Sequence, residues 1–165
     1  MALPQGDPAL LNSEVARRLL ASTIPARLAY IANDNKPRVV PIWFHWTGHK
    51  LVMASLAGAA KIAALRNYPD VALTIDAEGF PPDVLLLRGR VEVTDVDGIV
   101  PEYAQAARRY LGDEGATAFL AQLDRPDTRM HRIALRPSWI GVLDFKTRLP
   151  RVLGGIQDDP PTPTG

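Results

Sequence analysis

Residues 38–76, "RVVPIWFHWTGHKLVMASLAGAAKIAALRNYPDVALTID", decide how this chain folds. The run 38–46 is β-branched and aromatic and reads as a strand despite Pro41. A proline cannot donate to a ladder, so Pro41 marks an edge, a bulge, or backbone that faces a ligand. "TGHK" (47–50) is a turn and "LVMAS" (51–55) the next strand. A short helix follows near 59–67, with Ile62 and Leu65 on one side and Pro69 beyond its end. "VALTID" (71–76) returns to a strand. Strands joined by turns, with one short helix between them, point to an antiparallel sheet rather than to alternating β and α units.

The flanks extend the pattern. Asn12 or Ser13 can cap a helix whose apolar side is Val15, Leu19 and Leu20. "ARLAYIA" (26–32) is a strand, "NDNK" (33–36) a turn, and "VLLLRGRVEVTD" (84–95) a long strand with one polar face. Pro101 opens a helix through Tyr110, and a second covers 115–123. "RMHRIALRP" (129–137) and "WIGVLDF" (139–145) finish as two strands. The fold class is β-rich α+β, with a barrel favoured because closure removes exposed edges. At 165 residues the chain is expected to form one domain over 1–150, with a Gly/Pro-rich, disordered tail over 151–165.

Composition narrows function. Nineteen basic and eighteen acidic residues leave a net charge of +1, which supports neither a nucleic-acid nor a membrane partner. No cysteine is present, so disulfides, thiolate metal sites and cysteine nucleophiles are excluded, which suits a cytoplasmic location. No basic n-region leads into an apolar stretch, and a secretory signal is not expected. His45 and His49 are four apart but fall on strand and turn, so no metal site is expected. No G-x-S-x-G elbow or Ser/His/Asp set stands out.

"SLAGAAK" (55–61) carries the chemistry. A phosphate needs backbone N–H groups, a hydroxyl and a cation together, with small residues that let its oxygens approach. Ser55 offers the hydroxyl, Gly58 and three alanines the room, and Lys61 the cation in the first helical turn. A cation there opposes the helix dipole by a few tenths to ~1 kcal/mol unless an anion is bound. The plain alternative is a solvated surface lysine.

These segments, in this order and spacing, resemble the flavin-binding split barrels of the pyridoxamine 5′-phosphate oxidase-like family over most of residues 14–146. The resemblance implies a six-stranded antiparallel Greek-key split barrel with a few peripheral helices. It also implies a homodimer with two flavin sites at its interface and a small-molecule substrate. Ser55 and Lys61 match the family's hydroxyl and lysine on the flavin phosphate. Arg38 matches a basic residue near the phosphate or the polar edge of the ring. Val39, Val40 and Pro41 lie where strand backbone lines the isoalloxazine, and Met53 and Ala54 lie on the neighbouring strand.

Arg88 is evenly placed between a cofactor contact and a surface ion pair, whereas Arg90 is expected to pair with nearby acids. Trp43 is either a ring wall or core, with Trp139 a second wall, and His45 or Trp43 would face the substrate. The implied activity is a flavin-dependent oxidoreductase that moves hydride to or from a small organic substrate. FMN is the expected cofactor and the deazaflavin coenzyme F-420 the alternative, its acidic tail suiting Lys36, Arg38, Lys61, Arg66 and Arg88 if they converge. The vitamin-B6 substrate is disfavoured, because the C-terminal region keeps only Arg148-Leu149-Pro150 of the family's basic closure. The competing readings are a non-catalytic flavin- or haem-binding split barrel and a cofactor-free interaction module.

Overall fold

A computed structural model describes residues 2–156. Ser13 caps the first helix, α1 (Glu14–Leu20), by accepting from the Ala16 N–H. Leu19 and Leu20 are buried as their spacing predicts, joined by Ala16, while Val15 packs at the core margin. Then come β1 (Ala26–Ile31), β2 (Pro37–Ile42), β3 (Phe44–Trp46) and β4 (Leu51–Leu56). Helix α2 (Ala60–Asn67) leads to β5 (Asp70–Asp76) and β6 (Val84–Asp97). Helix α3 (Pro101–Leu123) precedes β7 (Arg129–Leu143).

All pairings are antiparallel, in the order β2-β1-β5-β6-β7-β4-β3. The sheet therefore has seven strands rather than six, and its hydrogen-bonded order does not close. The extra strand arises at Trp43, where the run 38–46 breaks into β2, paired with β1, and β3, paired with β4. These two pieces are the opposite edges of the sheet. Flat, seven strands would hold their edges about 29 Å apart. One intervening residue spans at most about 7.6 Å between Ile42 and Phe44, so the sheet must curl on itself. The split barrel follows from that joint.

Pro41 lies on the edge strand β2, opposite Arg27, where its missing N–H interrupts no ladder. The two C-terminal strands expected from sequence are one strand of fifteen residues. Pro137 does not end it because the register slips there: Arg88 faces Trp139, but Gly89 faces Pro137, leaving Ser138 bulged. The core fills the curl with fully buried Leu28, Phe44, Leu85, Leu87, Ile133 and Leu135. In α3, Gly112 at φ 74° and ψ 168° breaks the helix, which accounts for the two helical segments read from sequence. Of the expected C-terminal tail, Arg151–Leu153 form a 3-10 turn and Ile156 bridges back to Arg148. The rest of that tail, from 157 on, lies outside the described residues.

Candidate functional site

β4 ends at Leu56, and α2 begins four residues later. Gly58 takes φ +86°, a conformation that glycine adopts without strain, so the connection turns tightly here. Ala59 at the N-cap has no side chain with which to bond the first helical N–H groups. No acidic residue stands in the first turn, and Lys61 is its second residue. Ser55 is 9% exposed. Among the described residues, neither the Ser55 hydroxyl nor the Lys61 ammonium has a hydrogen-bond or ion-pair partner. An open hydroxyl, an uncapped helix start and a cation stand about this corner, the donors that an anion would need.

Behind this corner stands a polar row that sequence inspection missed. Ser55 on β4 is the direct register partner of His131 on β7, and His131 is that of Asp95 on β6. The His131 Nδ1 lies 2.7 Å from Asp95 Oδ1, and Arg66 of α2 donates to the same carboxylate at 2.6 Å. The Arg66 guanidinium, followed by His131, holds the Asp95 carboxyl below the usual carboxylate range. Only the three-strand register brings positions 55, 95 and 131 together, and no local motif announces it.

The remaining candidates occupy other places. Arg38 is exposed and paired with Asp34 at 2.7 Å. Val39, 66% exposed, lines a hollow of about 250 Å³ with Val40, Pro41 and Arg27. The Met53 side chain is buried in the core, while Ala54 faces the other side, against Val100 and Met130. Arg88 sits over the Trp139 ring at 3.9 Å and lines a 470 Å³ cavity with Tyr30 and Ser138. Arg90 pairs with Asp70 at 3.1 Å, the surface pairing its position suggested.

Trp43 has a structural occupation. Its ring stacks on Tyr110 at 4.9 Å and meets Phe119 edge-on at 5.7 Å, pinning the β2–β3 joint to α3. His45 lines a separate 420 Å³ cavity with Arg17, Trp46 and Arg109. Burial, then Arg109, pushes His45 below the ordinary histidine value. None of the five cavities described includes Ser55 or Lys61. Among the described residues no helix is long and apolar enough to cross a membrane.

A curled antiparallel sheet whose opposite edge strands are joined through the single residue Trp43 defines a class, the split-barrel proteins. Residues 13–143 match the family described as pyridoxamine 5′-phosphate oxidase, and the chain belongs to it. Among solved structures, it is similar to a protein called F420 reductase, at 25% identity and a TM-score of 0.59. That match covers 74% of this chain and 93% of the other. The General Stress Protein 26 from Bacillus anthracis str. Sterne matches at 18% identity and a TM-score of 0.59, over 81% and 95% of the two chains. A heme binding protein from Mycobacterium smegmatis matches at 22% and 0.55, over 79% of this chain and 53% of its own. These last two likenesses speak for the fold alone. A search of curated proteins finds no match.

Proposed function

We propose that the chain is a flavin-dependent oxidoreductase that holds FMN by its phosphate at Ser55 and Lys61. The observation that carries this reading is the Ser55 hydroxyl at the end of β4 and the Lys61 ammonium at an uncapped helix start, both without partners among the described residues. The residues present fit the group. Backbone N–H groups at the helix start, a hydroxyl and an ammonium suit a phosphate, and no carboxylate stands in the first turn to compete for Lys61. Bound flavin would supply the hydride chemistry. The chain's own work is then to orient the ring against strand backbone, which suits β2 with its exposed Val39 and Pro41.

No described cavity links the Ser55–Lys61 corner to β2 or to Arg88. That dispersion supports a homodimer in which a second copy completes each site. The likeness to a protein called F420 reductase keeps the deazaflavin coenzyme as the alternative occupant. The substrate is a small organic molecule.

The test compares FMN with riboflavin, which differs from it only in lacking the phosphate. Fluorescence titration of the full chain should show FMN binding at least tenfold more tightly. Equal affinity refutes the phosphate seat. Anaerobic reduction of the bound flavin by a nicotinamide coenzyme, and its reoxidation by an added acceptor, separates an enzyme from a carrier.

A further inference from the structure

We infer that His131 is a further ligand of the anion at the Ser55–Lys61 corner, and that a dianionic phosphate monoester binds there together with one proton shared with His131 Nε2. This rests on the phosphate reading above.

The geometry begins with the register. Cross-strand partners leave a sheet on the same face, so Ser55, His131 and Asp95 form a row across β4, β7 and β6. Two residues further into the sheet, the same face carries Met53, Ile133 and Val93 of the core and its margin. The row therefore stands at the end of the barrel interior, where α2 reaches it through Arg66. The His131 side chain is only 16% exposed. Its Nδ1 is occupied by Asp95, whereas Nε2 has no partner among the described residues.

The chemistry follows from that one occupied nitrogen. Asp95, bonded by Arg66 as well, is ionised and can only accept. His131 must then donate its Nδ1–H, and a neutral ring is left with a lone pair on Nε2. A lone pair repels a fully ionised phosphate oxygen. A hydrogen bond between them needs one proton, resting on Nε2 or on the phosphate. At about pH 8 a free monoester is a dianion, a phosphate's second pKa being about 6, and a ring with a lone pair on Nε2 has no proton there to give. It comes from solvent.

The surrounding charges give the same count. On this face Arg66 of α2 offsets Asp95, and Arg129 of β7 offsets Asp97 of β6 at 2.9 Å. Lys61, at the start of the helix that carries Arg66, has no carboxylate partner among the described residues. Arg132 and Glu102 form their own pair on the opposite face of β7. Lys61 and a protonated His131 balance the two charges of a monoester. A phosphodiester carries one charge, needs Lys61 alone, and binds without the proton.

The experiment is calorimetric titration of FMN into the full chain at about pH 8, in two buffers of different ionisation enthalpy. The wild type should take up close to one proton per FMN, and none with riboflavin. His131→Gln should reduce the uptake to near zero and weaken FMN about tenfold. In Asp95→Asn the amide can accept or donate, so a neutral His131 is free to present N–H at Nε2. Uptake should fall while FMN still binds, a result that stands even where the His131 variant fails to fold. Wild-type binding of FMN without proton uptake, or unchanged uptake and affinity in folded His131→Gln, overturns the inference alone. FMN binding no tighter than riboflavin overturns the phosphate reading and this inference with it.

Discussion

Removing the Lys61 ammonium should move affinity and stability in opposite directions. The residue stands second in an eight-residue helix with no acid in its first turn and no capping side chain. With phosphate bound, Lys61→Ala deletes one charge-assisted hydrogen bond, a loss of about 1.5–3 kcal/mol. That converts to roughly 10- to 150-fold in the FMN Kd. Without ligand the same ammonium faces the positive end of the helix dipole, an unfavourable interaction of about 0.3–1 kcal/mol. Alanine is also a slightly better helix former. The ligand-free variant should therefore be as stable as wild type or melt up to about 4 °C higher, given about 2–4 °C per kcal/mol at this chain length. Fluorescence titration reads the first effect and thermal unfolding of the flavin-free chain the second. A lower melting temperature with an unchanged FMN Kd would refute the reasoning, since it would make Lys61 a structural residue.

Trp43→Ala should cost about 3 kcal/mol of stability, because the ring is stacked on Tyr110 and edged by Phe119; denaturant unfolding of the flavin-free chain checks this. Gly89→Ala places a Cβ 2.8 Å from the Arg136 carbonyl oxygen, a backbone atom held by the sheet, and should destabilise by about 1–3 kcal/mol in the same assay. Arg132 holds the Glu102 carboxyl below its ordinary 4.5, so this pair contributes stability above that pH and loses it as pH falls further. Glu102→Gln should lower stability by about 1–2 kcal/mol at pH 7. The gap from wild type should narrow in melts taken below about pH 4.5.

Strand positions were legible because β-branched and aromatic runs alternate with turn residues along most of the chain. The break at Trp43 was not, since the one residue in "VVPIWFHW" that opposes a strand, Pro41, lies inside β2 and not at the break. It is imposed by Tyr110 and Phe119, contributed by a helix some seventy residues later. Pro137 misled in the other direction, because a bulge at Ser138 absorbs it and lets the strand continue. At the site, "SLAGAAK" showed its hydroxyl and cation through local spacing alone. The His131–Asp95 row depends on register among three strands distant in sequence, which composition and periodicity do not reveal. Arg88 could be read either as a ligand or as a surface charge, and its cross-strand neighbour Trp139 now gives it a cation–π partner.

The one-residue joint at Trp43 also sets the girth of the molecule. A hoop whose two ends are riveted by a single link cannot widen unless the link is lengthened. Extra residues inserted between Ile42 and Phe44 would act as slack in the hoop, loosening its bore while leaving every ladder intact.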